Sequence, residues 1–311
     1  SHAYGIPPSA EHGARLLNQA LDIGYTMLDT AALYGFGANE TLLGNAIAHR
    51  RDEYVLASKC ALHGVDGKRE LTNDPAKLKA SCEDSLKRLN TDVIDIFYLH
   101  RWDKVTPIEE AVGALADLVR DGKVRAIGLS EVSAQTLRKA HAVHPICAVQ
   151  SEYSLWTREP EIAVLDACRE LGTAFVAFSP VARGYLTGQL RDVATLPEKD
   201  FRKNMPRFDP ENYAQNLTLL DSFAALADEQ GCSMAQLALA WLLKVDANIV
   251  PIPGTTDLQH LVENFGAMDV DLDDRAVRSA GKIINRETIT GDRYVPATQA
   301  EIDTEEFPHS A

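Results

Sequence analysis

Three apolar runs in the first hundred residues each end on an ionisable side chain. Met27-Leu28 runs into Asp29, Tyr54-Val55-Leu56-Ala57-Ser58 into Lys59, and Val93-Ile94-Asp95-Ile96-Phe97-Tyr98-Leu99 into His100. Tyr34 follows Asp29 by five positions, in a Gly-rich turn. A carboxylate at the end of a buried strand is costly without a partner. If the three runs are parallel neighbours in one sheet, all four side chains converge on one rim. The types suit proton donation. Free tyrosine, with a pKa of about 10, is too weak an acid at neutral pH unless its phenolate is stabilised. An ammonium beside it does that, and a carboxylate holds the ammonium in place. Taken singly, each residue has an ordinary structural reading: a buried ion pair for Asp29 and Lys59, a satisfied core histidine for His100, a capping aromatic for Tyr34.

The elements that must position this set alternate along the chain. Ser9 can cap a helix with Leu17 and Leu21 one turn apart, and Gly24 stops it. A strand to Asp29, a helix from Asn39 and a strand over 54–59 follow. Asp74-Pro75 starts a helix, since proline suits its first position. After the strand ending at His100, Thr106-Pro107-Ile108-Glu109 reads as a capping box. Strands then end at Ser130, Gln150 and Phe178, with helices from Ser133 and Pro160. Residues 181–210 read as a long loop, 212–230 and 233–244 as helices, 248–252 as a strand. Further helices open at Asp257 and cover 273–284, and the tail after Gly291 reads as loop. Seven strands, each followed by a helix, imply a parallel sheet with right-handed crossovers. A doubly wound sheet would call for GxGxxG, and the nearest match, Gly35-Phe36-Gly37-Ala38-Asn39-Glu40, lacks the third glycine. The expectation is an α/β fold of the (β/α)8 TIM-barrel type, with residues 1–311 as a single domain and the first strand upstream of Ser1. A barrel gathers the polar strand endings at one mouth.

The bulk properties narrow the classes. With 311 residues, 45% hydrophobic and 24% charged, the chain can bury a large core. A net charge of −14 disfavours nucleic acid or an anionic membrane as a general partner. No run approaches the roughly 18 apolar residues of a membrane span. Five scattered cysteines without a CxxC pair suggest reduced thiols and a cytoplasmic setting. His141 and His144 lack further ligands nearby, so no metal site is expected.

The motifs LDTA-x-x-Y-G, SK and LH at strand ends, GLS, VQ, FSP, and IPGTT with EN downstream stand in this order from about residue 10 to 285. In this set the chain resembles the aldo-keto reductase family. GLSEVS and VQSEYSLW look closest to its pyridoxal reductase-like and potassium-channel β-subunit-like bacterial branches. The resemblance implies an NADP(H)-dependent enzyme that reduces an aldehyde or ketone to an alcohol, with Asp29, Tyr34, Lys59 and His100 as a catalytic tetrad. Tyr34 is then the general acid, and His100 orients the carbonyl oxygen or relays the proton. It also implies a cofactor site. Ser130 and Gln150 would take the nicotinamide carboxamide, and Phe178 would stack on the ring. The backbone after Ser179 and Pro180, through Arg183 and Gly184, would meet the pyrophosphate. Gly254, Thr255 and Thr256 would open a helix toward an anion, with His260 near the 2′-phosphate and Glu263 and Asn264 at the adenine.

The chain departs from the family pattern at the 2′-phosphate. Where NADPH-preferring members carry Lys or Arg, it has Thr256, Asp257, Gln259 and His260, and Gln189 replaces the lysine of LTGK. Arg202, Lys203 or Arg207 could compensate. NADPH is the expected cofactor, with NADH or dual use as the alternative. Trp102 and Trp156 are expected to line a pocket for a small carbonyl substrate. The alternative function is a nucleotide-sensing regulatory subunit with slow turnover, which the lack of a long basic or apolar extension disfavours. Oligomeric state stays open.

Overall fold

The computed structural model describes residues 4–65 and 68–308. Helix starts follow short polar side chains. Ser9, Asp74, Ser133, Ser233, Asp257 and Asp273 each accept a backbone N–H of the first turn of the helix that follows, which satisfies donors the helix cannot pair internally. Chain order is α1 (Ala10–Ile23), β1 (Met27–Asp29), α2 (Ala38–Ile47), β2 (Val55–Cys60), β3 (Leu62–Val65), β4 (Lys68–Leu71), α3 (Pro75–Leu89) and β5 (Ile94–Leu99). It continues with α4 (Ile108–Arg120), β6 (Val124–Ser130), α5 (Ala134–Val143), β7 (Ile146–Glu152), α6 (Val164–Leu171) and β8 (Ala174–Phe178). Then come α7 (Pro210–Leu217), α8 (Leu219–Glu229), α9 (Met234–Val245), β9 (Ile249–Ile252), α10 (Leu258–Phe265), α11 (Asp274–Ile283) and α12 (Pro296–Gln299).

Seven strands form one parallel sheet in the order β1-β2-β5-β6-β7-β8-β9. The remaining two, β3 and β4, pair antiparallel as a separate hairpin. The large sheet curls. Met27 of β1 and Ile252 of β9, from opposite edges, join Ala57, Tyr98, Ala148 and Val176 in one apolar cluster inside it. Outside, α1 and α10 pack across the gap between those edges. Tyr25 donates its hydroxyl to Leu261 O at 3.0 Å, and its ring meets Phe265 edge-on at 5.1 Å. This is the (β/α)8 TIM-barrel architecture, with seven of its parallel strands among the described residues. A larger apolar layer fills the space between sheet and helices.

The interior is filled by one large ring among small residues. Tyr98 is fully buried, and Gly128 stands opposite it on β6. A Cβ at Gly128 would lie 2.3 Å from the Tyr98 ring, so glycine is what lets that ring turn inward.

Several expectations need correction. The hairpin β3–β4 lies between the strand over 54–59 and the helix from Asp74, where no element is expected. Its four-residue runs are short, and Lys68-Arg69-Glu70 is wholly charged, although the Asp66-Gly67 pair between the runs is a hairpin-turn signal. Thr106 forms no capping box: Pro107 is the N-cap of α4 without a side-chain bond, and Thr106 is turned to Asp103 instead. The loop over 181–210 holds four short 3-10 turns. The helix expected over 212–230 is broken at Thr218 into α7 and α8. The one expected from Pro160 is a 3-10 turn, Glu159–Glu161, followed by α6. β7 runs two residues past Gln150 to Glu152, and the tail contains α12.

Candidate active site

The pairing register brings the polar strand endings together. Asp29 ends β1 opposite Ala57 of β2, and Lys59 stands two residues further along β2, opposite Tyr98 of β5. Lys59 is fully buried and its ammonium donates to Asp29 and, at 2.8 Å, to Thr30 O. The other oxygen of Asp29 accepts from Gln150 Nε2 at 2.8 Å, across the mouth from β7. The Lys59 ammonium lies 4.9 Å from the centre of the Tyr34 ring. Burial works against this cation, but the charge of Asp29 and the neighbouring Tyr34 outweigh it and hold the amine above its ordinary pKa. His100, one residue past β5, meets the Tyr34 ring edge-on at 5.9 Å. Burial, then the cations Arg101, Lys59 and Arg69, push its imidazole well below the usual value, so it is neutral at neutral pH. Its Nδ1 is buried and has no partner among the described residues.

The three strand-end residues and Tyr34 therefore share one site. The Tyr34 ring, a buried ammonium held by a carboxylate, and a neutral imidazole lie together at the C-terminal mouth of the barrel. That set can donate a proton to an oxygen and stabilise the anion left on the tyrosine.

The wider set spreads along the same rim. Ser130 and Gln150 are buried partners in adjacent strands, and Phe178 ends β8, half-buried, opposite Ile252 of β9. Past Phe178 the backbone is strained. Ser179, Ala182 and Arg183 have φ of 51°, 52° and 56°, a region costly for side-chain-bearing residues. Pro180 is buried within this turn. The N–H of Gly184 is spent on Val181 O, and the Arg183 side chain turns inward to Glu152 at 2.6 Å and Tyr294 at 3.0 Å. Gly254 is exposed, with open space where a side chain would stand. Thr255 Oγ1 accepts from Asp257 N, and Thr256 O lies 2.6 Å from His12 Nε2. Asp257 caps α10 through the N–H groups of Gln259 and His260. The α10 N-terminus thus already faces a carboxylate of its own chain. His260 sits against Gln189 at 3.1 Å. Glu263 and Asn264 are half-buried on α10.

The two tryptophans part ways. Trp102 is half-buried and fixed by its indole N–H to Thr106 O at 2.7 Å. Trp156 is 1% exposed, stacked on Tyr185 at 4.7 Å and covered by the Arg207 guanidinium. Its contacts are with packed core, which corrects the expectation of a pocket wall. Arg202 pairs with Asp200, and Arg207 is buried with its guanidinium on Thr157 and Gly291 O, so both side chains are tied within the fold.

A second charged cluster at the rim was not legible in sequence. Arg293, from the tail, donates to Glu131 at 2.9 Å and Glu152 at 3.1 Å, and Arg183 completes the group. All four side chains are at most 7% exposed. The guanidinium groups of Arg183 and Arg293 lie 5.9 and 5.8 Å from the Phe178 ring centre.

The description of a known family, the aldo/keto reductase family, matches residues 3–285. The chain belongs to that family. It is 41% identical to the aldo-keto reductase yakc [NADP(+)] of Schizosaccharomyces pombe over 316 residues, covering 99% of this chain and 93% of that protein. Among solved structures, the glycerol dehydrogenase AKR11B4 of Gluconobacter oxydans is 30% identical with a TM-score of 0.82, over 90% of this chain and 88% of that one. An aldo-keto reductase of Klebsiella pneumoniae in complex with NADPH is 27% identical with a TM-score of 0.69, over 88% and 85%. As an aldo/keto reductase the chain is an oxidoreductase of the NADP-dependent kind. No helix among the described residues is long and apolar enough to cross a membrane.

Proposed function

We propose that this aldo/keto reductase reduces a small aldehyde or ketone to the alcohol, with Tyr34 as general acid and NADPH as the ordinary cofactor. One observation carries the reading: a fully buried Lys59 ammonium, fixed by Asp29, beside the Tyr34 ring at the barrel mouth. The nicotinamide half of a dinucleotide fits the residues present. Ser130 and Gln150 offer buried polar groups on adjacent strands, and Phe178 offers a half-exposed ring next to them. The 2′-phosphate fits less well, because Asp257 stands where a cation is wanted. A bound dihydronicotinamide supplies the hydride for the carbonyl carbon.

The chain's own residues handle the oxygen. Tyr34 gives its hydroxyl proton to the carbonyl oxygen as charge develops there. Lys59 stabilises the phenolate that remains, and Asp29 keeps Lys59 charged and in place. Neutral His100 holds the oxygen beside Tyr34. Gln150 is positioned to couple the two halves, since it already holds Asp29. All 311 residues work as one domain in this reading, and the five free cysteines suit a cytoplasmic setting.

Tyr34→Phe tests the mechanism. Carbonyl reduction should fall by about 10²–10⁴-fold, the usual worth of a positioned acid. Nucleotide affinity, measured by fluorescence titration, should stay within about twofold, well under the ~1.4 kcal/mol that a tenfold change represents. Turnover at the wild-type rate would rule out Tyr34 as the acid.

A further inference from the structure

Four cations at the barrel mouth have carboxylate partners. Lys59 has Asp29, Arg69 has Glu301, and Arg183 and Arg293 have Glu152 and Glu131. Arg101 differs. It follows His100 directly and is half-buried, and its Nη1 donates to His100 O at 2.7 Å and Ser130 Oγ at 3.2 Å. Both partners are neutral. Among the described residues no carboxylate forms a salt bridge with Arg101, and its Nε and Nη2 donate to none of them.

The position is also rigid. Buried Asn73 donates to Arg101 O at 3.0 Å, and Asn73 and Asp103 exchange two further bonds of 2.7 and 2.9 Å. The Nε and Nη2 of Arg101 are not among the buried atoms that lack a partner, so this edge is open to solvent and free to take an anion. The nearest carboxylate of the loop, Asp103, is already taken by the N–H groups of Asn73, Val105 and Thr106. In a chain of net charge −14, this leaves a local positive site against the tetrad.

We propose that Arg101 binds a carboxylate on the substrate, so that the site prefers carbonyl compounds that carry a carboxylate. The inference rests on the reductase reading for its chemistry and refines the substrate class. Nε and Nη2 present the two parallel donors that a carboxylate takes, while Nη1 stays tied to the rim. The carbonyl then lies toward His100 and Tyr34.

The test compares 4-carboxybenzaldehyde with methyl 4-formylbenzoate, a neutral partner of similar shape, using the cofactor-loaded full chain. The acid should be favoured at least tenfold in kcat/KM, mostly through KM. Arg101→Gln should cost the acid at least tenfold more than the ester, and Arg101→Lys should recover part of the loss. Terephthalate, which cannot be reduced, should bind the nucleotide-loaded protein by calorimetry and lose that binding in Arg101→Gln. Equal kcat/KM for acid and ester in the unaltered protein would overturn the proposal. So would an equal fall for both in Arg101→Gln, which would make Arg101 a support for His100. If neither aldehyde is reduced, the reductase reading fails instead. Arg101-dependent terephthalate binding then still upholds the anion site, and its absence overturns it.

Discussion

Two groups of buried charge sit on the same rim, and they are built to different ends. On the β1–β2 side, one ammonium and one carboxylate pair directly, and Asp29 keeps 11% of its side chain exposed. On the β6–β7 side, Glu131 and Glu152 share two guanidinium groups, and both carboxylates are at most 1% exposed. The tyrosines differ too. Tyr294 spends its hydroxyl on Arg183, whereas Tyr34 stands over the mouth beside Lys59 and His100. A site that reacts keeps one group uncommitted next to fixed charge. In the second group the charges pair mainly with one another.

Exchanging one cation in each group separates these roles. Arg293→Met leaves Glu131 and Glu152 buried without their shared partner, and should cost about 3–5 kcal/mol in urea unfolding. Lys59→Met leaves Asp29 with Gln150 and some solvent. It should lower turnover by about 10²-fold or more with a much smaller loss of stability. If Lys59→Met proved the more unstable of the two, the division would be broken.

Acid titration sharpens the same contrast. Burial raises the Glu152 pKa, but Arg183, Arg293 and Arg207 overcome it and bring the group from 4.5 down to about 2. A folded-state value below the unfolded one adds stability above the unfolded pKa. That stability is complete above about pH 4.5 and is lost as pH falls toward 2. Circular dichroism melts over that range should show the loss, and Glu152→Gln should flatten it. An unchanged slope in the variant would take Glu152 out of the account.

The smallest expected effect lies at α10. Asp257→Lys replaces an anion with a cation near the expected 2′-phosphate. It should shift the ratio of NADPH to NADH affinity toward NADPH by roughly tenfold, the worth of one charge-assisted contact. The fluorescence titration that reads this also gives the starting preference. An unchanged ratio would place the phosphate elsewhere.

What could be read in advance follows from these structures. Asp29, Lys59 and His100 stood out because each ends an apolar run, and parallel strands bring such endings to one mouth. The caps of α1, α3, α5 and α10 were legible because capping is local. Thr106 misled for the same reason: the pattern was right, but Asp103, three residues earlier, claimed its hydroxyl and N–H. Trp156 looked like a pocket wall, since nothing nearby in sequence announces Tyr185 or Arg207 as its cover. The Glu131–Glu152–Arg183–Arg293 cluster was out of reach altogether. Its charges come from two strand ends, a strained turn and a tail that reads as loop.

That cluster also bears on how the chain reaches its native state. Arg293 meets Glu152 and Glu131 across 141 and 162 residues of sequence. Contacts so distant are slow to form, because loop closure comes before any gain from them. During synthesis, β6 and β7 emerge long before Arg293 exists. Their two terminal carboxylates gain this partner only once the tail has been made. Docking of residues 293–305 is thus a late event, sealed by Asp303 on Ser133 and Glu305 on Ala134.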